Sequence, residues 1–527
     1  MTSPRTRERT LRRLATAATA LAGSGALLVA APPALSGPSP RNVGDVICAV
    51  DHLIGSPLRT QCPVESPTAQ VSDTPGTASA QQPRRDELAP DLITAKFARD
   101  ARANDVAALL DRIDATIVHA IPELDIRSLH VGPEQLQNAL LELRRSDLIV
   151  RAEQERLVPL IDLTASAVVD GDWGPRLIRA QGAWDVTRGS SKVVVAVLDT
   201  GVDSSHPDLR GSLVAGYDVV DGDAVPDDAH GHGTAVAGII GAQAGLCRAC
   251  SLMAIRILDA KGFGTTSTIA AGIVRAVDSG ARVLNLSVGS TGTTETMADG
   301  VRYALDRGVV VVAAAGNDGL DDAMYPAAYP GVISVAATDE GDRLYSWSNH
   351  GAKVMLAAPG CNTAPLLHGR RAYFCGTSSA TPMVAGIVAL ALSADANSTR
   401  TEIEQALERA AVRINGVRSG RVDAARTIGA FAPKSVRAIS SHRLEGRSMR
   451  SQSFVAGNGH ARALLTATGG TTLTLELLDA LGKRLAFVGG KTPLRFERTL
   501  VAGKYTLRIS SLKPTRYRLR LDYVRPR

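Results

Sequence analysis

The sequence predicts an α/β protein built on a parallel sheet between layers of helix, with an α+β unit before it and a small all-β sandwich after it. Three observations carry this expectation. Between residues 175 and 430, short apolar, β-branched runs alternate with helical segments, the pattern of strands buried on both faces and joined by helical crossovers. Residues 91–160 read as strand, helix, strand, strand, helix, strand. Beyond Pro433 only strand-like runs remain, separated by Gly and Lys/Pro turns. A chain of 527 residues is long enough for several such units, and 45% hydrophobic content excludes wholesale disorder.

The elements follow in chain order. Arg5, Arg7, Arg9, Arg12 and Arg13 precede the uncharged stretch Leu14–Ala31, and small residues follow at Ala34–Gly37. That is the pattern of a cleaved export signal over residues 1–36; the alternative is a membrane-spanning anchor, which the Ala, Thr and Gly content disfavours. No later stretch reads as a span. Residues 37–90 are rich in Pro, Ser, Thr and Gln and read as a linker. An α+β unit is expected over 91–165, with strands Leu92–Phe97, Ala115–Ile121, Leu124–Val131 and Leu148–Ala152 and helices at Asp105–Ile113 and Leu136–Leu143. This order is that of a ferredoxin-like unit, which by itself says nothing about function. The α/β domain is expected over 173–430, with strands Lys192–Leu198, Ser251–Ile257, Arg282–Leu286, Val309–Ala314 and Val332–Ala336. Helices are expected at Thr234–Ala242, Thr266–Asp278, Thr296–Asp306 and Ser379–Ser393. The sandwich, 434–527, shows strands Thr472–Leu478, Leu494–Leu500, Lys504–Ser510 and Arg516–Val524.

Charge is unevenly spread. The net +7 divides into +5 over the first 41 residues, −12 over the body and +14 from Lys434 onward. An acidic body with a basic tail is not a nucleic-acid-binding core. The six cysteines fall into sequence-local pairs: Cys48 and Cys62, Cys247 and Cys250, Cys361 and Cys375. In an exported chain such pairs suggest disulfides, although six cysteines allow 15 connectivities. No second Cys-x-x-Cys lies near Cys247-Arg248-Ala249-Cys250 to complete a zinc site.

Three motifs sit where a parallel sheet presents chemistry. Val197-Leu198-Asp199-Thr200-Gly201 is an apolar strand ending in a carboxylate. His230-Gly231-His232-Gly233-Thr234 places a histidine at a helix start, and Gly376-Thr377-Ser378-Ser379 places a serine at the start of a long apolar helix. Acyl transfer needs a nucleophile, a base to take its proton and an acid to orient that base. A serine at a helix N-terminus also gains from the dipole and free N–H groups. Each motif alone has an ordinary structural explanation as a turn, a cap or a buried histidine.

Together, in the order Asp, His, Ser, they resemble the subtilisin-like serine peptidases (subtilases). The resemblance spans about residues 173–430 and implies a three-layer, parallel-sheet catalytic domain. It implies Asp199 as orienting acid, His232 as general base and Ser378 as nucleophile of a serine endopeptidase. Ala313–Gly319 resembles the family's oxyanion segment, with Asn317 as amide donor. Ser287-Val288-Gly289 and Gly262-Phe263-Gly264 resemble the two strands that pair with bound peptide. His230, Asp203 and Ser379 are expected to lie outside the chemistry.

The flanks take meaning from this resemblance. The α+β unit is similar to the family's propeptide, a folding aid and intramolecular inhibitor whose end, 155–172, runs through the site and is cut between about Leu160 and Asp172. The sandwich resembles small β domains appended to secreted bacterial peptidases; its basic charge suggests contact with cell-surface polymers or a merely solvated face. Polypeptides are the implied substrates, nucleic acid is not, and no cofactor is needed for the chemistry. Many relatives carry a calcium-binding insertion where this chain runs briefly to Cys247, so a structural calcium has no support there. Asp218, Asp221, Asp223, Asp227 and Asp228 form an oxygen-rich run that is read as a solvated loop. The competing readings are an exported binding protein displaying the sandwich and a maturation peptidase with few substrates.

Overall fold

A computed structural model describes residues 87–161, 173–241, 243–432, 435–457 and 459–525. The expected signal, the linker, and the pair Cys48 and Cys62 lie outside the described residues.

The central sheet has eight strands, all parallel, in the order Gly420–Arg421, Leu356–Pro359, Ile333–Thr338, Val310–Ala314, Val283–Leu286, Val194–Asp199, Ser251–Arg256, Leu213–Asp218. The five expected strands form its middle. Their near-continuous Val, Ile, Leu and Ala reflects burial on both faces. One face packs on the helices His232–Gly241 and Thr377–Ala394, the other on Thr266–Asp278 and Glu295–Asp306. Thr377–Ala394 is apolar and long enough to cross a membrane, contrary to the expectation that no such stretch follows the leader. Its residues from Thr377 to Leu392 are buried in the protein, which makes it a core helix.

The N-terminal unit is the expected β-α-β-β-α-β, with strands ordered Thr116–Ile121, Ile126–His130, Leu88–Phe97, Ile149–Pro159. The last strand is far longer than the expected Leu148–Ala152. It runs on to pair antiparallel with Phe263–Thr265 of the α/β domain, Leu157 opposite Thr265 and Pro159 opposite Phe263.

Two acidic residues of this strand bind it to helix starts. Glu153 accepts from the Thr296 N–H (2.8 Å) and hydroxyl (2.7 Å), and Glu155 from the Ser267 hydroxyl (2.6 Å). Each thus supplies negative charge where exposed N–H groups and the helix dipole favour it. Ile121, Leu124 and Ile126 pack on Ala270 and Val274 beside them.

The C-terminal unit is a sandwich of two four-stranded antiparallel sheets around Leu465, Leu475, Leu477, Leu507, Leu519 and Leu521. It has eight strands; Ser435–Leu444, Ser448–Ala456, Gly459–Ala467 and Arg484–Lys491 are additional to the four expected.

The remaining cysteines pair locally. Cys247–Cys250 closes the turn after the His232 helix, and Cys361–Cys375 joins the two ends of the hairpin formed by Cys361–Leu366 and Arg370–Cys375.

Candidate active site

The Asp199 and His232 motifs meet at the carboxyl edge of the sheet. Asp199 ends its strand fully buried, and its Oδ1 accepts from His232 Nδ1 at 2.7 Å and from the Thr200 N–H at 2.8 Å. His232 opens its helix because the loop before it is tied down by Asp228. That carboxylate accepts from the N–H of Gly231 (2.7 Å) and Thr234 (2.9 Å) and from the Thr234 hydroxyl (2.6 Å). Thr200 Oγ1 links the two motifs, donating to Asp228 at 2.8 Å and accepting from the Gly233 N–H at 3.0 Å. The edge of Phe374 stands against the imidazole, ring centroids 5.2 Å apart. A cavity of about 180 Å³ opens beside it, lined by His230, His232, Leu366, Leu367, Arg370 and Phe374.

Ser378 is buried in the first turn of its helix, after Gly376, whose φ of 134° suits only glycine. Asn317 is held by its oxygen: Oδ1 accepts from the N–H and the hydroxyl of Thr377, both at 2.9 Å. Its Nδ2 is buried and makes no hydrogen bond among the described residues. A buried amide donor without a partner is costly.

A segment of the chain itself lies at Ser378. Leu160 donates its N–H to Gly262 O (2.9 Å), Ile161 to Ser287 O (3.0 Å), and Gly289 donates to Pro159 O (3.1 Å). Residues 157–161 therefore lie as a strand between the two segments expected to pair with peptide, Gly262–Gly264 and Ser287–Gly289. The strand ends with the Ile161 carbonyl accepting from the Ser378 hydroxyl. The Ile161 side chain is buried against Ala314 and Met324, and a Cβ on Gly289 would come within 2.6 Å of its Cδ1.

Of the residues expected outside the chemistry, Ser379 and Asp203 are bonded to other groups, while His230 lines the cavity beside His232. Ser379 faces away and accepts from Asn362 Nδ2 at 2.9 Å. His230 stands 6.3 Å from His232, ring to ring. Asp203 is anchored, accepting from the Ser205 hydroxyl and from the Ser205 and His368 N–H groups; burial alone would raise its pKa, but these hydrogen bonds hold it below the usual carboxylate range.

The acidic run is likewise not simply solvated. Asp228 is the buried organiser of the His232 loop, and Asp218 is buried and, with Asp221, grips Arg256. The Arg256 guanidinium thus occupies the space between the carboxylates of Asp218 and Asp221. Sequence reasoning also missed Thr200, Thr377 and Phe374, whose small or apolar side chains carry no signal until the loops around them are folded.

The profile of the subtilase family matches residues 190–457. Thermophilic serine proteinase of Bacillus sp. (strain AK1) is 40% identical over 338 residues, covering 62% of this chain and 82% of that one. Thermitase of Thermoactinomyces vulgaris is 42% identical over 270 residues, 49% of this chain and 95% of its own. Halolysin of Haloferax mediterranei is 39% identical over 382 residues, 68% and 72% respectively. With a family profile over half its length and relatives of this similarity, the chain belongs to the subtilase family and is a serine-type endopeptidase.

Proposed function

We propose that this subtilase is an exported, self-inhibited precursor that first cuts its own chain between Ile161 and Asp162 and then cleaves other polypeptides. The observation that carries the reading is the strand 157–161, pinned on both sides and ending with its last carbonyl on the Ser378 hydroxyl. In this mechanism Ser378 Oγ attacks the Ile161 carbonyl carbon. His232 takes the hydroxyl proton and then gives it to the departing amine of Asp162. Asp199 keeps the proton of the neutral imidazole on Nδ1, so that Nε2 is the basic nitrogen, and stabilises the imidazolium that forms. The oxyanion accepts from Asn317 Nδ2 and from the Ser378 N–H, helped by the helix N-terminus behind it. Water then hydrolyses the acyl-enzyme with His232 again as base.

Other substrates would enter the same track as an added strand, recognised mainly through main-chain hydrogen bonds, with an apolar residue of about the size of Ile before the cut bond. The N-terminal unit would remain on the track after the cut and inhibit until removed. The leader-like first 36 residues and the two buried local disulfides support an oxidising destination.

The test is active-site labelling. An arylsulfonyl fluoride should modify Ser378 of the processed protein and abolish casein hydrolysis, and a Ser378→Ala variant should neither label nor hydrolyse. Labelling elsewhere with full loss of activity would refute the assignment.

A further inference from the structure

One face of the C-terminal sandwich is an arginine surface that neither folding nor peptide hydrolysis uses. The sheet ordered Ser435–Leu444, Thr515–Val524, Gly459–Ala467, Leu494–Leu500 buries Tyr517, Leu519, Leu521, Ala461, Ala463 and Leu465 on its inner side. The alternate residues therefore point outward. Its registers arrange them in rows. Arg437, Asp522, Arg462 and Glu497 lie side by side and neutralise one another, with Arg437–Asp522 at 2.6 Å and Arg462–Glu497 at 2.9 Å.

The next rows carry no carboxylate. They are Ile439, Arg520, Leu464 and Arg495, then Ser441, Arg518 and Thr466, then Arg443 opposite Arg516. Among the described residues no ion pair engages Arg495, Arg516 or Arg518. Arg520 leans on Asp522 (3.0 Å) and Arg443 on Glu445 (3.4 Å).

Like charges directly opposite on a sheet destabilise it, and Arg443 faces Arg516 in register, so stability does not explain the pattern. Three arginines follow at alternate positions of one strand, about 6.8 Å apart by strand geometry. A shallow depression of about 570 Å³ beside them is lined by Arg462, Leu464, Arg495 and Arg520, with Phe496 and the paired carboxylates Glu497 and Asp522 at its edge. Guanidinium forks in a flat array suit phosphate groups. The outward positions hold no Phe, Tyr or Trp, and the ring that does line the depression, Phe496, is half-buried against the sandwich core, so bases and neutral sugars have no exposed ring face to stack on.

We propose that this face binds a linear, base-free phosphate polymer and tethers the enzyme to it. The body of the chain, at −12, would be repelled by such a polymer, so the sandwich alone makes the contact.

The test uses the full chain in a Ser378→Ala background, to prevent self-digestion, and long-chain inorganic polyphosphate as the probe. Binding should weaken with salt, and Arg516→Gln/Arg518→Gln/Arg520→Gln should reduce affinity at least tenfold and flatten the salt slope by about 2, at about 0.7 per lost contact. Lys504→Gln/Arg484→Gln/Arg508→Gln, which removes the same charge from the other sheet, should change affinity less than threefold. Arg518→Gln alone, between Ser441 and Thr466, should still cost two- to fourfold and serves if the triple variant does not fold. Equal losses from both triple variants would overturn the proposal, as would no binding by the parent. Tighter binding of a single-stranded oligonucleotide of equal charge would overturn it in favour of nucleic acid.

Discussion

Asn317→Ala tests the division of labour within the site, because the two ends of that side chain have separable effects. Its Oδ1 accepts two hydrogen bonds from Thr377, and its Nδ2 has no acceptor among the described residues. Removing the oxygen orphans two buried donors, a stability cost of about 1–3 kcal/mol each at most. Removing the nitrogen takes away a donor needed only when the carbonyl becomes an oxyanion. That loss should appear in kcat and hardly in KM, at about 100- to 1000-fold or roughly 2.7–4 kcal/mol, a range known from another member of the family rather than derived from these distances. The assay is steady-state hydrolysis of a peptide with Ile before the cut bond, together with thermal unfolding. Thr377→Val, which removes one of the two anchoring bonds and keeps the donor, should cost only about two- to tenfold in kcat. A fall in kcat under fivefold for Asn317→Ala, or a loss carried by KM, would refute the reasoning.

Three further outcomes follow from the same geometry. Gly289→Val should slow cutting after Ile161 by at least tenfold and shift preference toward Ala before the cut bond, since even a Cβ there would come within 2.6 Å of Ile161 Cδ1; competition between Ile- and Ala-containing peptides measures it. Cys361→Ala/Cys375→Ala frees a loop of sequence separation 14 and should cost about 2–4 kcal/mol in denaturant unfolding of the Ser378→Ala protein. Acid should loosen the N-terminal unit. Burial lowers the pKa of His119 from 6.5 against the opposing pull of Glu155, so the docked state resists protonation there and its stability falls as pH drops below 6.5. Asp299 adds a second loss at lower pH: burial would raise its pKa, but Lys96 and Arg151 outweigh that and hold it below 3.8. Nicking of residues 87–161 by an added protease in the Ser378→Ala protein should rise between pH 8 and pH 5.5; equal protection would contradict this.

Much of the site was legible because each motif is local: Asp199, His232, Asn317 and Ser378 each sit within a short run whose residue types the chemistry demands. The middle strands of the sheet were legible for a similar reason, since burial on both faces writes an unbroken apolar run. Its edges were not. Leu213–Asp218 includes Gly216, Leu356–Pro359 spans four residues and Gly420–Arg421 two, too short or too mixed to show a period. Ser435–Leu444 was hidden because its outward positions mix serine, arginine and one isoleucine, and its inner positions mix Val and Ala with Ser440 and His442. The contacts that complete the site were out of reach altogether. Ile161 meets Ser378 across 217 residues of sequence, and Glu155 meets Ser267 across 112; no local pattern specifies such pairings, which follow from how two folded units dock. The acidic run from Asp218 to Asp228 shows the converse, since composition suggested a solvated loop where folding made Asp228 a buried scaffold.

The central claim is that Ser378 acts first on the chain's own Ile161. It is tested most directly by expressing the full chain with and without Ser378→Ala and determining the N-terminus and intact mass of the product. The wild type should yield a large fragment beginning at Asp162 and a second, N-terminal fragment ending at Ile161, while Ser378→Ala stays joined across that bond. Cutting of both proteins at the same place, or a wild-type N-terminus away from Asp162 from the earliest time point, would contradict the account.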